Sequence, residues 1–206
     1  MLEYTIAGFM PVVLAAVVAT LMTRASFGDE PVLLIESISM TSIEEVFFVA
    51  LIGFFCGGAA ALFVKIQSTC MKYSHITPLI RFGLIGLVTG CAGVLVPQVL
   101  GLGYDTLQAT LLNNVSFSVL AAVIACKLFV TAFACGLGMP LGYIGPALII
   151  GAGIGSLLGI VGIEAMPELA SDRTLYVLLG MGAMMGALLN APVSYTHLTL
   201  PTTPYV

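Results

Sequence analysis

Lys127 stands inside an apolar run from Phe117 to Cys135, and a Gly/Pro break at Gly136 to Pro146 follows it. A glycine-laced apolar segment then continues to Gly159. In a membrane, the backbone freed by a broken helix is tolerated only where protein buries it or it lines a cavity. A helix restarting at Gly142-Tyr143-Ile144-Gly145-Pro146 aims unpaired N–H groups and a positive dipole end at that cavity. Such a terminus binds anions. The donors would be backbone groups of Tyr143 and Ile144, while Gly142 and Gly145 let the chain turn and an ion approach. On spacing alone, the same residues also suit an ordinary Gly/Pro-rich loop between two spans. Lys127, a charge at membrane depth, is a functional hypothesis in itself. It can raise the positive potential near an anion pathway, pair with an acidic group such as Asp105, or snorkel to an interface.

The elements that position these residues follow from composition. The 206-residue chain is 60% hydrophobic and 8% charged, with a mean hydropathy of +1.15. Soluble domains are roughly 45–50% apolar and about 25% charged, so the chain reads as an all-α polytopic membrane protein. Spanning takes about 20 mostly apolar residues. Thr5 to Thr23, Val46 to Phe63, Leu79 to Leu100, Phe117 to Cys135, Pro146 to Ile163 and Leu175 to Leu189 are the apolar stretches. Ala25 to Glu45 is acidic and reads as an extramembrane loop, as does the shorter Glu164 to Asp172. Gly101 to Asn114 is too short and polar to span, and reads as a loop with a short, re-entrant helix.

Small residues at helical spacing let a neighbouring backbone approach closely, which is what holds helices together in lipid. Gly83, Gly86, Gly90 and Gly93 share one face; Gly151, Gly155 and Gly159 form two overlapping G-x-x-x-G units; Gly182 and Gly186 repeat the spacing, and Gly53 and Gly57 suit close contact as well. Pro146 fits a first helical turn, where a missing N–H costs nothing.

Other chemistry is excluded or weak. Cys56, Cys70, Cys91, Cys126 and Cys135 make no C-x-x-C pair and read as buried free thiols, without disulfide or metal. Six Lys and Arg form no basic stripe, so no nucleic-acid partner is expected. His75 is a loop histidine, and no Ser/His or Cys/His pairing is suggested, so the chain is not read as an enzyme and no cofactor is expected. The first apolar run lacks a basic leader or cleavage site and is read as a span rather than a signal peptide.

The chain also resembles the CLC family of chloride channels and chloride/proton antiporters. The resemblance covers most of residues 5 to 192 and rests on G-Y-I-G-P, the upstream Lys127, the small-residue helix after Pro146, and GMGAMMGALLNAP at Gly180 to Pro192. The family's G-x-F-x-P-type motif begins a half-helix in its second structural repeat. Here Ile144 stands where Phe is usual, and Gly145 precedes the proline. The resemblance implies that Gly142, Tyr143, Ile144, Gly145 and Pro146 hold chloride through backbone N–H groups, chloride being substrate rather than cofactor.

Gly136-Leu137-Gly138-Met139-Pro140 is similar to the family's G-S-G-I-P, but Leu137 replaces the serine, and the segment is read as part of the second-half loop. G-S-G-I-P, the gating glutamate of G-R-E-G-P and the path-closing tyrosine find no match. Glu3 is not assigned the proton-route role.

Residues 1–192 are therefore expected to be a partial CLC-type transmembrane domain, the second inverted repeat of tilted and discontinuous helices without the first. Its expected setting is a lipid bilayer, multi-pass, in the bacterial inner membrane. The resemblance further implies a homodimer through the first two spans. Residues 193–206 (VSYTHLTLPTTPYV) are similar in large part to a translated sequencing-library adapter and are read as a non-native tail. Two alternatives remain: an unrelated secondary transporter with a discontinuous-helix anion site, or a non-conducting membrane fragment with a packing role.

Overall fold

The long apolar runs become helices, and Gly or Pro marks where α1, α3 and α5 stop. The computed structural model describes residues 6–28, 45–73, 75–165 and 172–199. Glu3, the acidic residues Asp29, Glu30, Glu36 and Glu44, Glu168, and the last seven residues lie outside the described residues. Among those described, secondary structure is helical throughout: α1 (Ile6–Phe27), α2 (Val46–Met71), α3 (Pro78–Leu95), α4 (Tyr104–Leu111), α5 (Phe117–Gly136), α6 (Ile144–Ala165) and α7 (Arg173–Thr199), with a 3₁₀ turn at Pro97–Val99. α2, α3, α5 and α6 are long and apolar enough to cross a membrane.

α1 forms a unit by itself. Thr20 and Thr23 donate to the carbonyls four residues back, at 2.8 and 2.9 Å. The helix ends at Gly28, whose φ of 88° lets its N–H return to the Arg24 carbonyl at 2.9 Å.

In the second unit, α6 and α7 pack most extensively, with α2 and α5 against them. Ile52, Cys56, Ala60 and Phe63 form the buried stripe of α2. They meet Leu128 and Ala132 of α5, Ala147 and Ile150 of α6, and Tyr176, Met184 and Leu188 of α7. The G-x-x-x-G units of α6 account for the close approach: a Cβ at Gly151 or Gly155 would strike the Gly180 or Tyr176 carbonyl. The partner glycine on α7 is Gly180. Gly182 and Gly186 have open space beside them. So do Gly53, Gly57, Gly83, Gly86 and Gly90, and of the α3 stripe only Gly93 is covered, by Leu100. Periodicity places these residues on a face, but the contacts come from whichever helix lies opposite.

Several boundaries move for local reasons. α2 runs past Phe63 to Met71, where Ser68 and Thr69 turn their hydroxyls back onto the Lys65 carbonyl. α3 stops at Leu95 rather than Leu100, because Val96 precedes Pro97 and takes an extended φ of −137°. α4 is the short helix expected after Gly101, closed by Asn113 at φ 59°. α7 continues beyond Leu189 to Thr199. Glu45, expected in an exposed loop, is buried, and Tyr176 donates its hydroxyl to Glu45 Oε1 at 2.9 Å. The five cysteines are free thiols, Cys56 and Cys135 buried and Cys91 exposed.

Candidate anion site

The break between α5 and α6 is built by two opposite termini. At the end of α5, Gly138 takes φ +83°, its N–H returns to the Cys135 carbonyl, and the Met139 N–H returns to Ala134, at 3.0 and 3.1 Å. This pair of bonds is the glycine-dependent cap that ends many helices, and Pro140 then prevents continuation. The Gly136–Pro140 segment is thus a stop signal whose N–H groups at Gly138 and Met139 are already used.

α6 restarts at Ile144, two residues before the expected Pro146. Its first bond runs from the Ala147 N–H to the Tyr143 carbonyl, at 3.0 Å. The Ile144 and Gly145 N–H groups precede that bond and have no acceptor within the helix. Pro146 has no N–H to satisfy. Tyr143 is held from behind: Gln67 of α2 donates to its hydroxyl at 2.8 Å, and its ring meets Phe63 edge-on with centroids 6.1 Å apart. Gly136 of α5 packs against the same part of α2, where an added Cβ would meet the Gln67 carbonyl at 2.6 Å. Both ends of the break therefore rest against Gln67.

Gly142, Tyr143, Ile144, Gly145 and Pro146 all line one cavity of about 800 Å³, together with Lys127. Lys127 is 4% exposed. Its ammonium donates to the Val99 and Gly101 carbonyls, both at 2.8 Å. It neither pairs with Asp105 nor snorkels; two carbonyls of the loop before α4 compensate the buried charge. An ammonium has three N–H groups, so one remains beyond these two bonds. Among the described residues, no acidic side chain lines the cavity.

The sequence gives weaker notice of three other residues. Gln67 follows Phe63 by one turn on the buried stripe of α2, a polar group in an apolar row. Thr131 follows Lys127 by one turn on α5 and lines the cavity. Arg81 places its guanidinium beside the break, with Nη1 3.5 Å from where a Gly138 Cβ would stand, and over the ring of Phe82, 5.2 Å from the centroid. Lys127 thus lies in the cavity into which α6 opens, and Arg81 lies beside the cap that ends α5.

Comparison with known proteins shows the family of this chain. The family model described as voltage gated chloride channel matches residues 1–204. The chain is 30% identical over 195 residues to the voltage-gated ClC-type chloride channel ClcB of Citrobacter koseri, and 29% to that of Salmonella dublin. It is 28% identical to that of Escherichia coli SMS-3-5 over the same length. Each match covers 93% of this chain and 47% of the relative, so the chain spans about half the length of the curated relatives it matches. The chain belongs to the voltage-gated chloride channel family, as a multi-pass, all-helical membrane protein.

Proposed function

We propose that this chain forms part of a chloride-transporting protein of the bacterial inner membrane, working as a channel or a chloride/proton antiporter. Chloride is held at the start of α6 by backbone N–H groups of the Gly142–Pro146 segment, while Lys127 keeps the potential of the cavity positive. The observation that carries this reading is the opening of α6 into the cavity, with the Ile144 and Gly145 N–H groups ahead of the first helical bond. Anions are favoured at such a terminus by both the free donors and the dipole. The names of the ClcB relatives support chloride as the anion. A homodimer built through α1 and α2 belongs to the same reading, as does the treatment of residues 193–206 as an appended tail; the genomic sequence across Pro192 tests the latter.

The direct test is chloride efflux from phosphatidylethanolamine/phosphatidylglycerol vesicles containing the protein as its gene encodes it. Ile144→Pro removes one donor at the first helical position, where the fixed φ of proline suits the helix. Loss of a hydrogen bond to a charged ligand should weaken chloride binding about tenfold or more, with efflux falling alongside. Unchanged binding and efflux would count decisively against the α6 terminus as the site.

A further inference from the structure

Thr131 lines the cavity one helical turn beyond Lys127 and is 6% exposed. A buried threonine in a helix has an acceptor at hand, the carbonyl four residues back. The exposed Thr20, Thr23 and Thr69 and the buried Thr110 take it, at 2.8, 2.9, 2.8 and 2.7 Å. Thr131 does not: among the described residues its hydroxyl bonds neither to the Lys127 carbonyl nor to any other group. Its Oγ1 is also not among the polar atoms sealed from solvent without a partner, so the cavity reaches it. Leaving a buried hydroxyl unpaired is unfavourable, which points to an occupant of the cavity as its partner.

The character of the wall says what that occupant is. The side chains around Thr131 are apolar, among them Ile85, Val99 and Val130. The polar groups of the lining include the first N–H groups of α6, the ammonium of Lys127, and the hydroxyls of Thr131 and of Thr89 on α3. The acceptors nearest to hand, the Val99 and Gly101 carbonyls, already accept from Lys127. A cavity that holds a buried ammonium and free helix N–H groups and, among the described residues, no carboxylate favours an acceptor with negative charge. We infer that the Thr131 hydroxyl is a side-chain ligand for the anion in this cavity, supplementing the backbone donors of α6. The inference rests on the reading of the α6 terminus as the chloride site.

Chloride titration calorimetry on the detergent-solubilised protein as its gene encodes it separates the two claims. Thr131→Val keeps the shape and removes the donor, and should raise the chloride dissociation constant about tenfold or more. Thr131→Ser restores a hydroxyl and should bind within about twofold of the unsubstituted protein. If Thr131→Val binds normally while Ile144→Pro binds weakly, the role of Thr131 is overturned and the α6 site stands. Absence of saturable chloride binding in the unsubstituted protein overturns both. Bromide-soaked crystals of the unsubstituted protein decide the matter without any variant. An anomalous peak within hydrogen-bond reach of Thr131 Oγ1 supports the inference. A peak at the Ile144 and Gly145 amides alone overturns it.

Discussion

Gln67 of α2 donates its side-chain amide to the hydroxyl of Tyr143 at 2.8 Å, 76 residues away, and so fixes the residue whose carbonyl accepts the first bond of α6. The direction in which α6 presents its free N–H groups is set from outside the break, by a helix that contributes nothing to the cavity lining.

Substituting either partner should loosen that terminus. Tyr143→Phe leaves the ring on Phe63 and strands the Gln67 amide; Gln67→Ala removes the donor. Each is expected to cost about 1 kcal/mol, and the double variant less than the sum, because both remove one bond. Thermal unfolding of the four proteins in detergent measures the coupling, and strict additivity would mean that the bond contributes nothing.

Lys127→Met keeps the length of the side chain and removes the ammonium. Two charge-assisted bonds to the Val99 and Gly101 carbonyls disappear, at about 2–4 kcal/mol of stability after the relief of burying a charge. Amide exchange near Val99–Gly101 should speed up and chloride flux should fall. Normal flux with faster exchange would leave Lys127 a purely structural cation.

The glycines of α6 and α7 divide into two classes. Gly155→Ala drives a methyl into the Tyr176 carbonyl, and Gly180→Ala does the same to Gly151. Each should cost roughly 1–3 kcal/mol or abolish expression, as overpacking does. Gly182→Ala and Gly186→Ala meet open space and should be neutral or slightly stabilising, since alanine is the better helix former. Equal tolerance at all four positions would refute the α6–α7 packing.

Gly138 ends α5 at a positive φ that L side chains enter at a cost of about 1–2 kcal/mol. Gly138→Ala should be destabilising by about that amount, and Gly138→Asn by less, since asparagine tolerates the left-handed region. Their order in thermal denaturation checks the cap. A reversed order would mean that α5 ends in some other way.

The helices and the break were legible because hydropathy, glycine and proline act through nearest neighbours in the chain. The Gly136–Pro140 stop and the restart before Pro146 are of that kind. Partners distant in sequence were not legible. Glu45 lies among acidic neighbours in the sequence, and its burial depends on Tyr176, 131 residues away. The partners expected for Lys127, an acidic side chain or an interface, omitted the carbonyls that hold it, because backbone carbonyls leave no mark in a sequence. The stripe at Gly83, Gly86 and Gly90 also lies at helical spacing, yet among the described residues an added Cβ there would meet nothing, while one at Gly151 or Gly155 would strike α7.

The bonds from Lys127 close a hoop. From α5 the chain passes through the break into α6; Gly145 there lies near Leu102, a Cβ on it standing 3.9 Å from Leu102 Cδ2. Leu102 adjoins Gly101, whose carbonyl is tied back to α5 by the ammonium. A ring of chain fastened by a buried cation resists stretching. Opening the hoop therefore means breaking the bonds of Lys127 to the Val99 and Gly101 carbonyls rather than bending a loop.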